Sequence, residues 1–163
     1  MSSGNTYERL IALLDQHQVS YRFIDHPPEG RTEVVSVMRG HDVRHAAKCM
    51  VLMIKQGRKV TRYALAVLPG NARVDLHAVK SLLQATYVSF ASPEIAEKLS
   101  GAPTGAVLPF SFNPSLEVIV DPSLFQSDEI YFNAARLDRS MVLSTQAYVA
   151  VAKPRVASIA VTA

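Results

Sequence analysis

Apolar residues along this chain alternate between helical and strand spacing from one stretch to the next. Tyr7, Leu10, Ile11 and Leu14 follow the i, i+3, i+4, i+7 pattern, and Asn5 with Glu8 has capping-box character, so a helix is predicted to about His17. Val19, Tyr21 and Phe23 then alternate with polar neighbours as in a half-buried strand, which His26-Pro27-Pro28-Glu29-Gly30 breaks. Thr32 is placed to cap a second helix through Met38, with Gly40 as its stop. Next comes Ala46-Ala47-Lys48-Cys49-Met50-Val51-Leu52-Met53-Ile54-Lys55, in which six uncharged residues follow Lys48. That reads as a strand buried on both faces.

Gln56-Gly57-Arg58-Lys59 turns the chain, and Val60–Leu68 returns as a second strand ended by Pro69-Gly70. Asp75 caps a helix that shows Leu76, Val79, Leu82 and Leu83 on one face. A short strand over Thr86–Phe90 precedes a helix opened by Ser92-Pro93 and closed by Gly101. Three prolines and two glycines between Gly101 and Pro114 mark a structured loop. Leu116–Val120, Ile130–Asn133 and Met141–Leu143 read as further strands, and Thr145 caps a last helix that stops before Pro154. Several strand pairs are joined by hairpin-length turns, without strict β-α-β alternation. The expected fold is therefore mixed α/β (α+β), a single domain over 1–163 with a mostly antiparallel mixed sheet surrounded by helices.

Composition narrows the class. The chain has 163 residues, 48% hydrophobic and 19% charged, which suits a core-rich globular protein. Net charge is +3, which allows a polyanionic partner without marking a dedicated DNA-binding face. No apolar run approaches the roughly 20 residues of a membrane span. The first five residues carry neither a basic start nor an apolar signal segment, so the cytoplasm is the expected compartment. The single cysteine, Cys49, lies inside a predicted strand, where a structural thiol is expected over a nucleophile.

Candidate chemistry is sparse. Lys48 at the entrance of a central strand is either a snorkelling side chain or a placed cation. His41 and His45 stand at i, i+4, the spacing of a shared metal in a metal-dependent hydrolase. Asp42 replaces the glutamate that pattern needs, and Gly40 interrupts the helix, so no metal is expected. No Gly-x-Ser-x-Gly elbow is present. The loop from Thr104 to Phe112 can be read in two ways. Gly105 lets the backbone approach a ligand and Pro109 fixes a turn, so free N–H groups there can meet a carbonyl oxygen. Alternatively it is a tight turn that plugs Phe110 and Phe112 into the core.

The order of these parts resembles the YbaK/prolyl-tRNA-synthetase-associated family of trans-editing aminoacyl-tRNA deacylases, from about His26 to Tyr148. The residues that carry the resemblance are His26, Thr32-Glu33, Ala47-Lys48, Gly105-Ala106-Val107-Leu108-Pro109 and Asp128 through Ala135. Pro109-Phe110-Ser111-Phe112 and Phe132-Asn133-Ala134 look like the stand-alone YeaK-like branch. The resemblance implies hydrolysis, in trans and without a cofactor, of the ester joining a wrong small amino acid (Ala, Ser or Thr) to a tRNA. It implies catalytic roles for Lys48, Gly105, Ala106 and Pro109. It also implies substrate contacts from His26, Thr32, Phe110, Ser111, Asn133, Asp138 and Ser140. The implied partner is mischarged tRNA, with a synthetase or elongation factor as a further one, and neither DNA nor a membrane. The same resemblance also fits a non-catalytic tRNA- or synthetase-binding module. Ala135 stands where related sequences commonly have glycine, and Ser140 where they often have Asp or His.

Overall fold

A computed structural model describes residues 5–162; Met1–Gly4, read above for a signal segment, lie outside the described residues. The chain runs α1 (Thr6–Gln16), β1 (Arg22–Asp25), α2 (Thr32–Arg39), β2 (Ala47–Gln56), β3 (Val60–Pro69), β4 (Ala72–Val74), α3 (Leu76–Leu83), β5 (Tyr87–Phe90) and α4 (Pro93–Ser100). It continues as β6 (Leu116–Val120), β7 (Glu129–Asn133), β8 (Arg139–Ser144), α5 (Thr145–Ala152), β9 (Arg155–Val156) and β10 (Ala160–Thr162). The predicted α1 capping box is formed in full, with Asn5 and Glu8 each accepting the other's backbone N–H.

The strands form three sheets where one was expected. A five-stranded sheet has the order β5-β2-β3-β6-β9, a three-stranded one β1-β8-β7, and a pair β10-β4. Among the described residues, the named strands pair in parallel only at β3–β6 and β6–β9. The expectation for β2 holds. Its Ala47 and Val51 join one hydrophobic core with Leu65, Leu108, Phe110 and Phe132, while Leu52 and Ile54 join a second core with Leu68, Val79 and Ile159.

Several boundaries differ from expectation. Thr32 does not cap α2. Arg31 holds that position without a side-chain cap, and its own N–H donates to Glu29 Oε2 at 2.9 Å just ahead of the helix. Likewise Ser144 caps α5, while Thr145 begins it and donates its hydroxyl to Ser127 O. The strand expected around Val19–Phe23 begins at Arg22, because Gln18 takes a left-handed conformation (φ 57°) and reverses the chain first. β4, β9 and β10 were not foreseen, being two or three residues each and held by pairing remote in sequence.

Ala135, in the turn between β7 and β8, adopts φ 61°. A methyl side chain pays for that region, so Ala135→Gly is expected to raise stability by about 1 kcal/mol, a Tm increase of roughly 2–4 °C. Thermal unfolding checks this.

Candidate active site

The site arises from a gap in pairing. β2 pairs with β5 only over Leu52–Lys55, and Ala46, just before β2, bridges to Tyr131 of β7. Between these contacts the Ala47–Val51 edge is left without a strand beside it, closed at one end where the Ala91 N–H donates to Val51 O at 2.9 Å. A cavity of about 260 Å³ occupies that opening. Ala46 to Val51 form its floor. Thr32, Val35 and Arg39 of α2 form one wall, and Pro93, Ala96 and Glu97 of α4 another. Thr104, Gly105 and Val107 of the predicted loop, with Gly30, Phe132 and Asn133, close it.

The loop is held by its own short bonds. Glu97 Oε2 accepts both the Thr104 N–H (2.9 Å) and the Thr104 hydroxyl (2.7 Å), which keeps the Glu97 carboxyl below the usual range. Asn133 Nδ2 donates to Gly105 O at 3.0 Å, and the Ala106 N–H donates to Pro103 O at 2.9 Å. Gly105 has φ 89°, and a Cβ there would lie 2.6 Å from Gly30 Cα. Only glycine fits this crossing of two backbones. Among the described residues, the N–H groups of Gly105 and Val107 meet no protein acceptor, and both residues line the cavity. Two free amides flanking one fixed peptide can hydrogen-bond an oxygen that gains negative charge.

Lys48 lies on the rim, where its ammonium donates to Ala72 O. Desolvation lowers its pKa, Glu33 opposes that shift and Arg73 adds to it. With Met50 and Phe90 it also lines an adjoining groove that includes Arg73, Leu76 and Val161. Cys49 faces the cavity too, but desolvation pushes its thiol well above the ordinary range, so it is held protonated and is a poor nucleophile.

The structure thus gathers Lys48, Thr32, Gly105 and Asn133 of the sequence-derived candidates. His26 and Ser140 form a layer behind them, with His26 Nε2 2.7 Å from Ser140 Oγ. The remaining candidates stand elsewhere. Ala106 is fully buried and its N–H is taken, so it presents no free amide to the cavity. Pro109 is buried beyond the cavity. Phe110 is 3% exposed and packs edge-on to Tyr148, as the alternative reading of the loop had it. Ser111 turns to a groove beside Arg9 and Arg155, and donates to Asn113 O. Asp138 is paired with Arg136 at 2.9 Å, outside the cavity. His41 stacks on Tyr131 at 3.8 Å, whereas His45 Nδ1 lies 2.6 Å from Ser127 Oγ, so the two rings serve different contacts. Among the described residues no cluster of three His, Cys, Asp or Glu side chains is present.

Two residues of the site escaped the sequence. They are Arg39 and Glu97, and no motif in the sequence singled out either one. The usable signal was spacing, since Thr32, Val35 and Arg39 share one helix face, as do Pro93, Ala96 and Glu97.

Comparison with known proteins gives a consistent result. The family model described as the aminoacyl-tRNA editing domain matches residues 26–151. The chain is 40% identical over 156 residues to the multifunctional Ser/Thr-tRNA deacylase ProXp-y of Escherichia coli (strain K12), covering 94% of this chain and 93% of that protein. It is 27% identical over 121 residues to the prolyl-tRNA editing protein ProX of Acetoanaerobium sticklandii, covering 72% of each chain. The fold is shared with the crystal structure of hypothetical protein APE2540, at a TM-score of 0.84, 18% identity and coverage of 94% and 99%. A solved structure described as a candidate trans-editing enzyme for prolyl tRNA synthetase aligns at a TM-score of 0.76 with 21% identity, covering 97% and 98% of the two chains.

Proposed function

The chain belongs to the aminoacyl-tRNA editing domain family, and from that premise we propose that it hydrolyses, in trans, the ester between a wrongly attached small amino acid and the 3′-terminal adenosine of a tRNA. The observation that carries the reading is the pair of unpartnered amides, Gly105 and Val107, on the same cavity as Lys48.

Water attacks the ester carbonyl carbon, and the oxyanion that forms is received by the Gly105 and Val107 N–H groups. The bond to the ribose 3′ oxygen then breaks, and that oxygen leaves with a proton from the attacking water, relayed by the neighbouring 2′-hydroxyl. The ester is already activated, so positioning and oxyanion stabilisation suffice without a protein nucleophile. Lys48 presents its ammonium between cavity and groove, where a terminal phosphate oxygen is held. Small residues, among them Gly30, Ala46, Ala47, Ala91 and Ala96, contribute to the lining of the cavity of about 260 Å³. The likeness to a Ser/Thr-tRNA deacylase supports a small side chain, Ser, Thr or Ala, as the one this site accepts.

Glu97 is the one carboxylate among the lining residues. One of its oxygens is engaged by Thr104, and the other faces the α-ammonium that every aminoacyl ester carries. Seryl-tRNA is therefore expected to be cleaved roughly tenfold faster than N-acetyl-seryl-tRNA, a preference that Glu97→Gln removes. Parallel deacylation time courses measure it. Equal rates on both substrates by the wild type would assign the amine no recognition.

A further inference from the structure

Arg39 closes α2 and lines the cavity, yet among the described residues no carboxylate pairs with it. Its Nε donates to Ser140 Oγ at 2.7 Å and its Nη2 to Asn133 Oδ1 at 3.1 Å, while Nη1 lies 3.4 Å from His41 Nε2. Desolvation lowers its pKa to about 10. A half-buried cation without a counter-charge costs stability, so a return is expected elsewhere.

The return is legible in Asn133. This side chain is 4% exposed, and all of its hydrogen-bonding positions are used by protein. Nδ2 donates to Glu29 O at 2.8 Å and to Gly105 O at 3.0 Å; Oδ1 accepts from Arg39 and from the Ser140 hydroxyl at 2.9 Å. A carboxamide can sit in either of two flipped orientations, but a guanidinium can only donate. Arg39 therefore requires Oδ1 to face it, which turns Nδ2 toward the two carbonyls. Flipped, the amide would set oxygen against Glu29 O and Gly105 O, and N–H against N–H. With Gly105 O held by Asn133 and the Ala106 N–H held by Pro103, the peptide between them is fixed at both ends.

We propose that Arg39 is a positioning residue that acts through Asn133 to fix the Gly105–Ala106 peptide, and with it the free amides of Gly105 and Val107. In this account Asn133 and Ser140 reach the reaction through the loop and not by touching substrate. The inference rests on the reading that this loop receives the ester carbonyl, but it has a consequence in the free protein too.

The test uses Arg39→Met, which keeps a long stem without donors, and Asn133→Asp, which keeps an acceptor for Arg39 but has no N–H for Gly105 O. In both, the Ala106 amide is expected to exchange with deuterium at least about tenfold faster than in the wild type, with β3 amides unchanged as evidence of folding. In both, kcat on mischarged tRNA is expected to fall by a factor on the order of 100 with KM within about threefold, because the loop acts on the transition state. Unchanged Ala106 exchange in Asn133→Asp overturns the proposal, whether or not the wild type hydrolyses the ester. A kcat left at the wild-type value, or a loss confined to KM, overturns it equally. A wild type without turnover sinks the reading of the previous subsection, and exchange alone then decides Arg39. If Arg39→Met does not fold, Asn133→Asp decides the matter by itself.

Discussion

Replacing Gly105 with valine is expected to remove turnover while leaving the far-UV circular dichroism near native. Gly105 has φ 89°, where an L side chain costs about 1–2 kcal/mol. Its new Cβ would also stand 2.6 Å from Gly30 Cα, a backbone atom that cannot swing aside. The loop must therefore retreat from Gly30, carrying the Gly105 and Val107 amides with it. Loss of even one such donor lowers the rate by a factor on the order of 10²–10³. The fold should survive, because Gly105 is exposed and the residues on either face of β2 do not depend on it. Retained turnover would mean that the carbonyl is held elsewhere. Unfolding would mean that the Gly30–Gly105 crossing serves the fold first.

The second large effect is expected at Lys48. Lys48→Ala removes a cation whose ammonium keeps two N–H groups beyond the one given to Ala72 O, and kcat/KM should drop roughly 10- to 100-fold, the scale of a charge-assisted hydrogen bond. Lys48→Met separates the two readings of this residue. It restores the apolar stem but no charge, so it should be as impaired as alanine if the cation matters. Recovery in Lys48→Met would return the residue to a packing role. The deficit should also shrink as salt rises, since a partly exposed cation facing a phosphate is screened.

Much of the fold could be read from the sequence wherever an element carries its own periodicity. α1, β2, β3, α3, α4 and β6 were anticipated because their apolar positions and caps repeat within a few residues of one another. β4 and β10 could not be, since Ala72-Arg73-Val74 and Ala160-Val161-Thr162 are strands only by virtue of each other, across most of a hundred residues. The same distinction divides the site. Position before a strand and in a Gly/Pro loop made Lys48 and Gly105 candidates with two readings each, and the family resemblance implied their roles. Phe110 and Ser111 were drawn in by the same resemblance, yet past Val107 the chain carries Phe110 into the core and Ser111 to a groove on another side. Arg39 and Glu97 gain their meaning only from partners far along the chain, Asn133 and Ser140 for the first and the cavity itself for the second.

The central claim is that this cavity cleaves the ester of a mischarged tRNA. It is tested most directly by single-turnover deacylation of a panel of tRNAs charged with Ser, Thr, Ala and a larger amino acid, wild type beside Lys48→Ala. The account predicts that the wild type releases Ser, Thr or Ala at least about 100-fold faster than spontaneous hydrolysis and spares the large residue, with Lys48→Ala much closer to background. If wild type and variant both release every amino acid at the spontaneous rate, the claim is contradicted, and the chain binds its partner without turning it over.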